Sequence, residues 1–207
     1  MVLLQKGARN SLRYIIKILN SRGFFFCAWA SRLALHGNAL YVFPITMQNP
    51  TVIECLPNSL CSWDYTMRGL STGHAAIAYD WLTEQGVIAS GNMEYDIRKH
   101  GFFSGQWTLE QSEHVIADAQ KPSALTRTYE VSSGDLHFTL RAQSPFHRAF
   151  EIMSGNQLLG RILPAHAFTR RAVIDCSPTV PEPIQLFSFW LVALSWRRSA
   201  RRRSGSS

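Results

Sequence analysis

A chain of 207 residues with 46% hydrophobic side chains can bury the core of one ordinary domain with extensions, and nothing in its length asks for two. Its net charge of +7 does not mark a nucleic-acid groove, because the excess sits at the two ends. Lys6, Arg9, Arg13, Lys17, Arg22 and Arg32 lie in one, and Arg197, Arg198, Arg201, Arg202 and Arg203 in the other. Residues 40–196 carry all 14 acidic residues and fewer basic ones, so nucleic acid is not an expected partner.

Residues 1–39 are free of acids and studded with arginines, with apolar groups from Tyr14 to Leu19 and from Phe24 to Ala30. Three readings stay open for this basic N-terminal extension: a leader-like segment, a helix seeking a membrane surface, or a stretch upstream of the true start, with Met47 or Met67 beginning the product. Its apolar patch from Gly23 to Leu35 is broken by Arg32 and is too short to span a bilayer. In residues 40–70, Pro44, Pro50, Pro57 and Gly69 punctuate short apolar pieces such as Thr51 to Cys55, which predicts edge strands or an irregular covering segment. The four cysteines, Cys27, Cys55, Cys61 and Cys176, form no C-x-x-C pair. They read as free, buried thiols in a reducing compartment, with a Cys55–Cys61 bridge the alternative for an exported protein.

From Gly73 to Cys176 turn residues recur about every eight to twelve positions, with β-branched and aromatic residues between them, the pattern of an all-β sandwich or barrel. Strands are predicted over His74 to Leu82, Val87 to Ser90, Met93 to Arg98 and Phe102 to Leu109, where Gly105 signals a bulge or a close backbone approach. After a polar section, Thr126 to Val131 and Leu136 to Arg141 flank a hairpin sequence, Ser132 to Asp135. Leu136, Phe138 and Leu140 alternate with polar neighbours, giving one wet and one dry face. Ala149 to Met153 and Gln157 to Leu163 form a second hairpin around Ser154, Gly155 and Asn156, and Arg171 to Asp175 is the last strand.

A proline-rich linker, Ser177 to Pro183, then leads into an apolar run from Ile184 to Trp196. Thirteen residues without internal Gly or Pro exceed a usual strand, Pro183 suits a first helical turn, and Glu182 in front with arginines behind match the helix dipole. Only Gln185, Ser188 and Ser195 interrupt its apolar surface, so the helix must be surrounded. At about 20 Å it falls short of the roughly 30 Å of a bilayer core, so its surroundings are protein. The expected fold is therefore mainly β: a closed antiparallel β-barrel around a buried hydrophobic C-terminal helix, spanning residues 71–200, with a basic tail over 201–207. A sheet with the helix on one face is the alternative, but it would leave Phe187, Trp190 or Leu194 in water.

This layout resembles the tubby C-terminal-like superfamily, which includes the phospholipid scramblases and LURP-one-related proteins. The resemblance rests on the short Gly-containing hairpins, notably Phe150 to Ile162, and on the concluding hydrophobic helix, Leu186 to Trp196. It implies a closed barrel threaded by that helix and an association with phosphoinositides or membranes. No binding residues of the family carry over onto this sequence.

The chain has no G-x-S-x-G elbow, Walker loop, G-x-G-x-x-G turn or H-E-x-x-H helix. Its histidines are scattered, and the only metal set worth naming is His166, Asp175 and Cys176, against which ordinary strand and turn roles weigh more heavily. No metal or cofactor is expected. Asp80 and Asp175, acids within or ending apolar strands, are expected to face outward or to pair with Arg170 or Arg171 rather than to catalyse. The candidate ligand-binding residues are Arg98, Lys99 and His100 on a predicted turn, with Arg170 and Arg171 before the last strand. If they converged, their donors would suit a lipid phosphate; solvated polar turns are the plainer reading. The leading expectation is a non-enzymatic module that binds an anionic phospholipid head group or membrane surface, cytoplasmic or peripheral to a membrane. A small enzyme with a dispersed site and a structural or protein-interaction domain are the alternatives.

Overall fold

The computed structural model describes residues 52–59, 62–80, 82–101, 105–144, 147–166 and 169–204. The readings of residues 1–39, of Met47, and of Cys27 and Cys61 lie outside them. Twelve strands follow one another: β1 (Val52–Pro57), β2 (Tyr65–Leu70), β3 (Gly73–Asp80), β4 (Gln85–Ser90), β5 (Met93–His100), β6 (Gln106–Gln111), β7 (His114–Gln120), β8 (Thr128–Ser133), β9 (Leu136–Ala142), β10 (Phe150–Ser154), β11 (Gln157–Pro164) and β12 (Ala172–Cys176). Each pairs antiparallel with its sequence neighbours, and β1 closes the ring against β12, with Val52 opposite Asp175 and Cys55 opposite Ala172. Among the described residues, closure leaves no edge strand to pair with another chain.

The helix α1 (Glu182–Ser204) runs through this ring. Every residue from Ile184 to Arg197 is buried, which a helix lying on one face of a sheet could not achieve. Its neighbours come from around the wall. Phe189 meets Tyr65 of β2 edge to face at 4.9 Å, Trp190 lies 5.5 Å from Tyr79 of β3 and 6.4 Å from Trp107 of β6, and Ser195 Oγ lies 2.8 Å from the Tyr129 hydroxyl of β8. The three polar residues of the apolar run are accommodated separately. Ser188 donates to the Ile184 carbonyl one turn back, Ser195 bonds Tyr129, and Gln185 donates through Nε2 to the Val180 carbonyl.

Alternation places one side chain in two inside the wall, such as Tyr129 and Val131 on β8, and Phe138 and Leu140 on β9. Where the wall must come close to the helix, a glycine replaces the inward side chain. A Cβ on Gly86 of β4 would stand 2.7 Å from Trp190 Nε1 and 2.6 Å from the Ala78 carbonyl oxygen. Gly105 is a close backbone approach, its missing Cβ only 2.9 Å from Lys121 Cβ.

Three expectations need correction. Residues 40–70 are not merely a covering segment, since β1 and β2 are full members of the closed ring; Gly69, at φ +89, shifts the β2 register and broke the alternation that would have revealed it. A product starting at Met67, which is buried in mid-β2, would lack β1 and leave the ring open. The polar section after Leu109 contains β7, whose inward residues Ala117 and Ala119 are too small to advertise a strand, whereas its larger Val115 is 58% exposed. The helix does not stop at Trp196: arginines favour helix and suit its C-terminal end, and it continues through Arg201 and Arg202 to Ser204.

Candidate functional site at the long-loop mouth

The two ends of the barrel differ. One end is closed by two-residue turns, 71–72, 91–92, 112–113, 134–135 and 155–156, and there the 177–181 linker feeds the helix in. Glu182 fastens the entry by accepting hydrogen bonds from the Ser71 amide at 2.7 Å and hydroxyl at 2.8 Å. At the other end, where the helix leaves, the strands are joined by longer connections, 58–64, 81–84, 101–105, 121–127, 143–149 and 165–171.

Charge follows the same division. The tight turns and linker contain Glu113 and Asp135 and no Lys or Arg, with Glu182 following at the helix start. The described connections and helix end at the long-loop mouth carry Lys121, Arg127, Arg148, Arg170, Arg171, Arg197, Arg198, Arg201 and Arg202 against Asp64 and Glu84, and the strand ends beside them add Lys99 and Asp80. The described connections at the two ends of the barrel thus differ in charge.

Within the mouth the basic groups form two tiers. The inner tier pins the helix. Glu84 takes both Arg198 Nε at 2.9 Å and Nη2 at 2.6 Å, and also Lys99 Nζ at 2.7 Å. Arg198 and Lys99 lie over the Trp107 ring, whose Nε1 donates to the Glu84 carbonyl. Burial alone would raise the Glu84 carboxyl, but the hydrogen bonds and charges of Arg198 and Lys99 outweigh it and bring it down to about 2. Arg197 bonds the Tyr79 hydroxyl at 3.0 Å, and Arg148 covers Trp196 at 4.2 Å while its carbonyl accepts from Trp196 Nε1.

The outer tier consists of the exposed Arg201 and Arg202 on the last turns of α1 and the half-buried Lys121 beside them. Burial, and then the charges of Arg198 and Arg202, hold the Lys121 ammonium below its ordinary value. Two loop leucines stand out at the same mouth: Leu82 is 72% exposed and Leu125 93%.

The sequence-derived candidates do not form one cluster. Arg98, Lys99 and His100 lie on the end of β5 rather than on a turn, so alternation sends Arg98 and His100 outward and Lys99 inward. Arg98 pairs with Glu110 at 3.2 Å and Asp96 at 3.8 Å, and His100 Nε2 meets Thr108 Oγ1 at 2.8 Å. Arg170 spans the 58–64 connection by donating to the Ser59 and Ser62 carbonyls and covers Trp63 at 5.0 Å, while Arg171 is exposed. The strands β4, β3, β2 and β1 separate β5 from β12 around the ring. Of these five, Lys99, Arg170 and Arg171 belong to the mouth. Lys121, Leu82 and Leu125 went unnoticed in the sequence; the one available signal was a leucine in the otherwise small and polar run from Lys121 to Thr126.

The other chemical candidates resolve simply. Asp80 closes its own turn, accepting from the Leu82 amide and the Thr83 hydroxyl, and Asp175 is exposed on β12. His166 and Cys176 lie at opposite ends of the barrel, and no three potential metal ligands gather among the described residues. Cys55 and Cys176 are free and buried.

Architecture thus defines the class: a helix-filled, twelve-stranded up-and-down barrel with one basic mouth. Compared with protein-family models, with curated proteins and with solved structures, the chain finds no match. No helix of the described residues is long and apolar enough to cross a membrane.

Proposed function

We propose that this protein is a tubby-like β-barrel module that binds anionic phospholipid head groups at a membrane surface through its long-loop mouth. The observation that carries the reading is the coincidence, at the basic mouth of the barrel, of the exposed Arg201 and Arg202 on the helix end with the exposed Leu82 and Leu125 in its loops. Isolated exposed leucines need no explanation. Two beside a basic cluster combine the forces that hold peripheral proteins on bilayers, about 1 kcal/mol per basic residue near an anionic surface and apolar insertion between head groups. The inner tier serves as support, because Arg198 and Lys99 are engaged by Glu84 and hold the helix end that presents the outer tier.

Co-sedimentation of the full chain with vesicles of phosphatidylcholine, with and without phosphatidylserine, tests the reading. Binding is expected only with the anionic lipid and should weaken as salt rises to about 0.5 M, where the Debye length drops well below the roughly 10 Å of 0.1 M salt. Equal binding to both vesicle types, or binding to neither, would overturn it.

A further inference from the structure

Lysine is scarce in this chain. It occurs at Lys6, Lys17, Lys99 and Lys121, and of these the structure describes Lys99 and Lys121, both at the basic mouth. Their circumstances are opposite. Lys99 is already engaged, its Nζ lying 2.7 Å from Glu84 Oε2. Lys121 has no carboxylate partner among the described residues, and its Nζ donates only to the neutral Ala124 carbonyl, at 3.1 Å.

The fold fixes this lysine in place. Its amide donates to the Gly105 carbonyl at 2.7 Å, and its Cβ occupies space that a Cβ on Gly105 would need, at 2.9 Å. The close approach at Gly105 thus sets the root of the Lys121 side chain. Arg198 and Arg202, four residues apart on α1, share a helix face, and the charges of both act on Lys121. Glu84 is shared by Arg198 and Lys99, and its influence on Lys121 is weaker than that of the arginines.

Two features therefore work against the Lys121 ammonium: its half-burial and the two guanidiniums. Both favour the neutral amine, and a lysine amine relieved of its proton by neighbouring cations is a nucleophile. An anion built on the same nitrogen would turn the arginines from an unfavourable influence into a favourable one. Addition to carbon dioxide makes such an anion directly. Carbon dioxide is also small and uncharged, so it meets no electrostatic barrier at a half-buried, basic site.

We propose that Lys121 binds carbon dioxide covalently as a carbamate whose negative charge faces Arg198 and Arg202. The ammonium first releases a proton to solvent. The amine lone pair then attacks the carbon of carbon dioxide, a C–N bond forms, and one C=O electron pair moves onto oxygen as its negative charge. A second proton leaves the nitrogen for solvent, so no oxidant or leaving group is needed. The side chain passes from a positive to a negative charge, which makes carbon dioxide a charge switch at the mouth. Formation of the carbamate needs no lipid, so it stands or falls separately from membrane binding.

The full chain is equilibrated near neutral pH with isotope-labelled bicarbonate as the source of carbon dioxide. Triethyloxonium then converts any carbamate to a stable ethyl ester, and peptide mass spectrometry locates it. Label should appear at Lys121 and not at Lys99, and should fall to the background of an ordinary lysine when the chain is unfolded in guanidinium chloride. Arg202→Gln, a change at an exposed position, should reduce trapping at Lys121 about two- to fivefold, the scale of one solvent-screened charge interaction. Absence of trapped label at Lys121, equal trapping in folded and unfolded chains, or trapping unaltered by Arg202→Gln would overturn the proposal.

Discussion

Arg198, two residues beyond the last tryptophan of the helix, holds Glu84 by both carboxylate oxygens, at 2.9 and 2.6 Å, and so ties the exit of the central helix to the turn between β3 and β4. Glu84 adopts a left-handed backbone conformation, φ 55, which is unfavourable for a side-chain-bearing residue. Its grip on Arg198 and Lys99 compensates for that. Arg198→Ala should therefore destabilise the protein by about 2 kcal/mol, between the values for exposed and fully buried pairs. In chemical denaturation, a double-mutant cycle with Glu84→Gln should show strong coupling; additive effects would mean the pair is incidental.

The same pair sets a pH dependence. The folded-state carboxyl of Glu84 lies at about 2 against an ordinary 4.5. A depressed pKa contributes stability that is complete above the unfolded value and is lost as pH falls from about 4.5 through 2. With solvent reaching the pair, the loss is on the order of 2 kcal/mol. Urea denaturation of wild type at about pH 6 and about pH 3 should show somewhat more than half of this drop, and Glu84→Gln should flatten that part of the profile.

Trp190 is fully buried, and its Nε1 has no hydrogen-bond partner. Its contribution is therefore one of volume. Trp190→Phe should cost only about 1–2 kcal/mol, whereas Trp190→Ala should cost about 3–5. A Phe variant as damaged as the Ala variant would point to a polar role for the indole.

Gly86 is the complementary test of how closely the wall approaches the helix. A methyl group there would meet Trp190 and the Ala78 carbonyl oxygen, both inside 3 Å. Gly86→Ala should destabilise by about 1–3 kcal/mol, although alanine is at least as favourable as glycine by backbone propensity. A neutral substitution would show that the indole does not sit against β4.

The helix was legible because thirteen apolar residues too short for a bilayer leave protein as their only surroundings, and the later hairpins because Gly134–Asp135 and Gly155–Asn156 are two-residue turns with glycine at φ +55. Three strands were less legible for physical reasons. In β1 and β2 a terminal Pro57 and the bulge at Gly69 obscure the alternation. In β7 the inward positions are alanines, small because Trp107 and Tyr129 of the flanking strands fill that sector, with ring centres 5.9 Å apart. The mouth was harder still. The arginines after Trp196 were visible as a membrane-attracted run, but their meeting with Lys121, Leu82 and Leu125 depends on two connections and the helix end arriving at the same end of a closed ring, which no local pattern encodes.

The proposed function turns this end of the barrel toward an anionic bilayer. An environment-sensitive fluorophore attached through Leu125→Cys at the mouth, or through Asn156→Cys at the tight-turn end, reports it directly in the full chain with Cys27 and Cys61 replaced by serine; Cys55 and Cys176 are buried away from the reagent. On adding phosphatidylserine-containing vesicles, the label at position 125 should shift to the blue and brighten while the label at 156 stays unchanged. A response at both positions, at 156 alone, or at neither would contradict it.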